Sequence, residues 1–179
     1  MCKFYKHISF QNIDLITNKL INFIKDLHEI KTSTYKLDHQ QLIETVPELK
    51  SQLDEYGFSS IGVARILVTA PNSTLRLHND GNDENPKYLA LNWPLLNCNN
   101  TIMRWYNADI SVKNYVEEGY GVFDLYDIFS ATKLAETEII SPTLVNIQCP
   151  HDVDNPLDSS RFMLSIRFDV EPFDIYESL

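Results

Sequence analysis

The chain has 179 residues, 44% of them apolar and 22% charged, which fits one soluble globular domain with a sizeable core. Its 25 acidic residues against 15 basic give a net charge of -10, which argues against a general binder of nucleic acid or of anionic membrane, since both need basic surface. The three cysteines, Cys2, Cys98 and Cys149, form neither a disulfide framework nor a zinc motif, and no apolar run approaches the roughly 20 residues of a membrane helix, so a cytoplasmic protein with reduced thiols is expected.

Residues 11 to 30 are expected to form the first helix. Ile13, Ile16, Leu20, Phe23, Ile24, Leu27 and Ile30 recur at three- and four-residue steps and make one apolar stripe, with Asn12 as N-cap. A second helical stretch runs from about Asp38 to about Tyr56. Pro47 interrupts it and fits an early position of a new helical segment, and Gly57 suits its C-terminal end. After Gly57 the texture changes to short β-branched, aromatic and apolar runs punctuated by Asn, Asp, Gly and Pro. Eight strands are expected, at about 60–69, 74–80, 87–95, 101–106, 120–126, 134–140, 143–149 and 161–170, with 107–119 as a longer polar connection. The expected fold is α+β but mainly β: a double-stranded β-helix, or jelly roll, of about eight strands. A helical buttress at about 1–57 supports the β-core at about 58–170, all in a single domain, 1–179.

The chemistry concentrates in the β-region. Successive side chains of a strand point to opposite faces, so His78-Asn79-Asp80 puts an imidazole and a carboxylate on one face. A second imidazole from a later strand, His151, completes a 2-His-1-carboxylate set that leaves the other face of an octahedral metal open. Arg161 lies ten residues after His151, where it could hold the far carboxylate of a diacid. In this last strand Phe162, Leu164, Ile166 and Phe168 share one face, and Arg161, Met163, Ser165 and Arg167 share the other. The first face suits packing on a helix or sheet, the second a mixed polar cavity.

Three stretches carry a resemblance. The first runs Leu75-Arg76-Leu77-His78-Asn79-Asp80-Gly81, followed by Leu91-Asn92-Trp93-Pro94-Leu95. The second is Pro142-Thr143-Leu144-Val145-Asn146, then Pro150-His151-Asp152. The third is Arg161-Phe162-Met163-Leu164-Ser165-Ile166-Arg167-Phe168. Together they resemble the iron(II)- and 2-oxoglutarate-dependent oxygenases, in the aspartyl/asparaginyl and prolyl hydroxylase-like branch, over roughly residues 60 to 170. The resemblance implies that His78, Asp80 and His151 are catalytic metal ligands, with His-x-Asp ending the second strand, the distal His following the seventh and the Arg opening the eighth. It further implies Fe(II), 2-oxoglutarate as co-substrate and O2, and hydroxylation of an amino-acid side chain, free or within a peptide or protein.

Arg161 would then pair with the 5-carboxylate of 2-oxoglutarate, since a planar guanidinium matches a carboxylate bidentately. Arg167 shares its face, and Arg161 is preferred here as the one expected nearer the metal end of the strand. Some family members carry Ser two residues after the Arg. Met163 stands there in this chain, and Ser165 is the substitute on the same face. Lys87 matches a basic residue that one branch sets against the co-substrate, and Asn92 and Asn146 are candidates to face the cavity. The expected partner is a small-molecule or peptidyl substrate, and the sequence specifies no oligomeric state.

Other readings compete. Taken singly, His78 is a surface residue and His151 a turn residue after Pro150. Cys149 reads as a buried thiol, Asp83-Glu84 as a solvated loop, and Trp93, Trp105 and Tyr106 as core or pocket wall. Two other functions fit the same pattern: a non-catalytic jelly-roll binding module, or a cupin-like metalloenzyme that holds zinc or manganese and does not use 2-oxoglutarate.

Overall fold

The computed structural model describes residues 4–25, 33–80, 88–117 and 121–178. Leu27, His28 and Ile30 of the expected first helix lie outside the described residues, as do Cys2 and the loop with Asp83, Glu84 and Lys87.

The N-terminal part holds β1 (Tyr5–His7), α1 (Ile13–Lys25), β2 (Thr34–Leu37), α2 (His39–Thr45) and α3 (Pro47–Glu55). The β-region follows with β3 (Ile61–Thr69), β4 (Ser73–Thr74), β5 (Leu89–Leu96), β6 (Ile102–Asn107), β7 (Ile110–Glu117) and β8 (Gly121–Tyr126). It continues with β9 (Thr132–Glu138), β10 (Thr143–Asn146), β11 (His151–Asn155) and β12 (Arg161–Phe168), and α4 (Phe173–Glu177) closes the chain.

Local chemistry sets the helices. Asp38 caps α2 by accepting from the backbone N–H groups of Gln40 and Gln41, at 2.8 and 3.2 Å. Pro47 opens α3, where its missing N–H costs nothing. The chain leaves α3 through Gly57 at φ +81°, a left-handed conformation that suits glycine. Asn12 stands directly before α1, and its carbonyl accepts the first helical bond from Ile16 N at 3.1 Å as an N-cap does, though at φ +52° in place of the usual extended backbone.

The strands form a six-stranded sheet, β1-β10-β5-β12-β3-β2, and a four-stranded sheet, β4-β11-β6-β9, with β7 and β8 paired as a hairpin. Eight strands, β3 to β6 and β9 to β12, pass between the two larger sheets as a jelly roll. The helices cover the outer face of the six-stranded sheet. Ile16, Leu20 and Ile24 of α1 join Leu42, Leu49 and Leu53 in a core with Ile66, Leu91, Trp93, Leu164, Ile166 and Phe168. Trp93 Nε1 donates to Thr17 Oγ1 at 2.9 Å, which fixes α1 on β5. A second core of Ala90, Met103, Trp105, Val145, Ile147, Val153 and Met163 fills the space between the sheets. The parity of β12 therefore holds: Phe162, Leu164, Ile166 and Phe168 face the helices, and the Met163 face lies between the sheets.

Four strand assignments change. The expected strand at 74–80 is realised only as β4, and beyond Thr74 the segment is held through isolated bridges at His78 because Leu77 and Asp80 bend the chain. The 107–119 connection contains β7, whose alternation is broken where the register shifts between Val112 and Tyr115, around Asn114 at φ +52°. The run at 120–126 is its hairpin partner β8 and not one of the eight core strands. The missing core strand is β11. It begins at His151, so the distal histidine opens a strand instead of following one, and the preceding strand ends at Asn146. None of the helices is long and apolar enough to cross a membrane among the described residues.

Candidate metal centre

The chain beyond β4 continues alongside β11. His78 N donates to His151 O at 3.0 Å and His151 N to His78 O at 2.8 Å, so the two histidines face each other across an antiparallel bridge. Asp80 is tied in by its own N–H, which donates to Ile147 O at 2.7 Å, and by its carbonyl, which accepts from Gln148 Nε2 at 3.0 Å. Parity then brings His78, Asp80 and His151 onto one face, with one donor atom from each within 4.8 Å of the others.

The donor set fits a metal ion. An octahedral ion with bonds of about 2.1 Å holds adjacent donors about 3 Å apart. Asp80 Oδ1 lies 3.2 Å from His78 Nε2 and 3.7 Å from His151 Nε2. Both imidazoles are aimed by backbone: His78 Nδ1 donates to Arg76 O at 2.6 Å and His151 Nδ1 to Cys149 O at 2.9 Å. A proton on Nδ1 leaves the Nε2 lone pair directed at the shared point, as metal-binding histidines require. Arg167 Nη2 takes the other carboxylate oxygen, Asp80 Oδ2, at 2.9 Å, which leaves Oδ1 for the ion.

Electrostatics follow from burial. Burial alone would raise the Asp80 carboxyl, but the hydrogen bond with His78 and the Arg167 charge outweigh it and hold the group well below the usual carboxylate range. Burial lowers His78, yet its contacts with Asp80 win and raise it. His151 is pushed down to about 4 by burial and by its neighbour His78.

The outer face of the small sheet braces this geometry. Asp152, next to His151 but on the opposite face, accepts from Arg104 Nε and from Tyr106 OH, both at 3.0 Å. Arg104 also meets Asp154 at 3.3 Å. Burial raises the Asp152 carboxyl and, beside it, pushes the Tyr106 hydroxyl up to about 12. This cluster locks β11 to β6 and with it the position of His151. Asn79 acts similarly between His78 and Asp80: its Oδ1 accepts from Asp124 N at 2.9 Å and pins the β7–β8 hairpin to this segment.

Arg161 and Arg167 share a face as expected, but Arg161 is not the one at the metal. β11 starts at the centre with His151 and runs away from it, and β12 returns antiparallel. Its first residue is therefore at the far end, where Arg161 is buried against the Cys98 thiol and pairs in register with Thr69. The near end is Arg167. Ser165 lies between them, buried, with Asn92 as its cross-strand neighbour. Asn92 is buried on the inter-sheet face, and its Oδ1 has no hydrogen-bond partner among the described residues. Asn146 turns back to its own chain, accepting from Gln148 N and Cys149 N. Lys87 lies outside the described residues. Arg65 was not among the expected residues. It pairs with Ser165 from the other side, on the same inter-sheet face as Leu67. The parity of the 60–69 run, with Ala64 and Ile66 opposite Arg65, carried that signal.

The architecture is shared with solved structures. A prolyl-4-hydroxylase from Pseudomonas putida superposes with a TM-score of 0.50 over 93% of this chain and 93% of its own, at 14% sequence identity. SnoK, a non-heme alpha-ketoglutarate-dependent carbocyclase from nogalamycin biosynthesis, gives 0.50 over 90% of this chain and 78% of its own, at 13% identity. The fold is a cupin-like jelly roll. At these identities the likeness is one of fold. No protein-family model matches the sequence, and no curated protein matches it.

Proposed function

We propose that this protein is an Fe(II)- and 2-oxoglutarate-dependent dioxygenase that hydroxylates an amino-acid side chain, free or within a peptide or protein. The observation that carries the reading is the convergence of His78 Nε2, His151 Nε2 and Asp80 Oδ1 on one point, with both imidazoles aimed by backbone carbonyls and the carboxylate turned by Arg167. That arrangement matches the facial triad of non-heme iron sites. Bound iron would supply the activation of O2.

The protein's own residues then hold and orient. His78, Asp80 and His151 bind the ion, and Arg167 keeps Asp80 monodentate. The inter-sheet face of β12 and its neighbours offers polar groups for a diacid: Ser165, the Asn92 amide with an unsatisfied oxygen, Arg65 and, further in, Arg161. Arg161 would hold the 5-carboxylate of 2-oxoglutarate, and Ser165 and Asn92 would line its path to the centre. The β-sandwich around them excludes bulk water, which strengthens each of these polar contacts.

Anaerobic titration with Fe(II) and then 2-oxoglutarate tests the proposal. The expected result is a visible metal-to-ligand charge-transfer band that needs both additions and is absent from His78→Ala and Asp80→Ala. An iron complex indifferent to 2-oxoglutarate would instead support the cupin-like alternative. A band without succinate formation on admitting O2 would support the binding module.

A further inference from the structure

We propose that the cavity beside His78 is the substrate subsite, and that it selects a small molecule with an apolar, ring-sized body bearing a carboxylate, which Arg76 binds. The inference rests on the reading of the centre as an oxygenase site and assigns the chemistry of what it oxidises.

The cavity has a volume of about 380 Å³, within the range of small-molecule sites. One wall is an aromatic ladder that starts at the metal ligand. The His78 ring meets Phe123 edge-on at 5.6 Å, and Phe123 meets Tyr115 edge-on at 5.4 Å. Leu75 and Leu125 complete the apolar lining. Tyr115, Phe123 and Leu125 all come from the β7–β8 hairpin, which Asn79 holds against the metal-binding segment.

Arg76 is the cationic side chain on this lining. It stands two residues before His78, is exposed, and forms no ion pair among the described residues. In a chain of net charge -10, an exposed guanidinium on this lining that makes no ion pair among the described residues is a site for an anion. Its planar fork matches a carboxylate bidentately. Arg76 and His78 both line the cavity with one residue between them, so the bound carboxylate and the C–H presented to the centre are separated by several bonds. The intervening body lies along Phe123 and Tyr115.

The probes are 3-phenylpropionate and its neutral counterpart 3-phenylpropanol. Binding is read by ligand-observed NMR on the full chain, both metal-free and loaded with Fe(II) and 2-oxoglutarate under anaerobic conditions. The acid is expected to bind about 10-fold or more tighter than the alcohol, the scale of a charge-assisted hydrogen-bonded pair. Arg76→Gln removes that preference, Arg76→Lys restores part of it, and Tyr115→Ala weakens both probes alike. Arg76 is exposed, so its variants should melt within about 2 °C of wild type, which separates lost recognition from lost fold. Equal binding of the two probes, a preference that survives Arg76→Gln, or binding of neither probe overturns the proposal. The cavity walls are protein, so a charge preference in the metal-free chain stands even if the iron and 2-oxoglutarate titration fails. That failure would count against the oxygenase reading alone.

Discussion

Asp80 divides its two carboxylate oxygens between two tasks. Oδ1 faces the imidazoles and Oδ2 faces Arg167. A partner that orients a ligand without touching the metal commonly changes affinity 10–100-fold. Arg167→Leu is therefore expected to weaken Fe(II) binding by about 10–100-fold in a chelator competition, whereas His78→Ala or Asp80→Ala abolishes it. Protonation belongs to the same scale. His78 is raised above its ordinary 6.5 by Asp80 and must lose its proton to bind metal. Apparent Fe(II) affinity should therefore begin to fall while the pH is still above 6.5 on acidification, with about one proton released per ion. Calorimetry in buffers of different ionisation enthalpy measures that release.

At the scale of elements, the His-x-Asp segment is held by neighbours on both sides, and its middle residue does part of the holding. Replacing Asn79 with Ala removes the acceptor for the buried Asp124 N–H and should cost about 1–3 kcal/mol by urea unfolding. Asn79→Asp keeps an acceptor oxygen and should lose less. A larger loss from Asn79→Asp than from Asn79→Ala would show that the side chain does not act through this bond. The end of α3 makes a separate case. Gly57 has φ +81° and open space where a Cβ would stand, so Gly57→Ala pays only the backbone penalty, about 1 kcal/mol.

The whole molecule is a sandwich whose candidate metal centre lies between two sheets, and its stability should respond to pH through that centre. Asp80 is held low, so its contribution is present above the ordinary carboxylate range and lost as pH falls. His151 is also held low, near 4 against an ordinary 6.5, so between those values the unfolded chain takes up a proton that the folded chain refuses, and stability falls with pH. His78 is raised and works the other way: its contribution is full below 6.5 and lost as pH rises through its folded value. The His78 contribution is constant below 6.5, so nothing from it offsets the His151 loss between about 6.5 and 4. Urea midpoints of the metal-free protein should therefore fall as pH drops from 6.5 to 4 and go on falling below pH 4 as Asp80 takes up its proton, the part below pH 4 being diminished in Asp80→Asn.

Much of this was legible from local pattern. The stripe of Ile16, Leu20 and Ile24, the Pro47 start, the Gly57 stop and the two faces of β12 depend on helical or strand periods and on single-residue dihedral preferences, which act over a few residues. His78 and Asp80 do converge as the His-x-Asp spacing suggested, but in a bent segment held by the bridge to His151 and not in a regular strand. Other features depend on partners far away in sequence. His-Asp-Val-Asp-Asn at 151–155 has too few apolar residues to announce a strand, and it becomes one because β6 and the His78 segment offer it backbone partners. Which arginine meets Asp80 follows from the antiparallel return of β12, a matter of path direction that spacing alone does not encode. The hairpin that walls the cavity was hidden by the register break at Asn114, and Asn79 binds it through a contact 45 residues away. By itself, then, the sequence determined the elements and their faces, and the tertiary structure decided which of those faces meet and at what register.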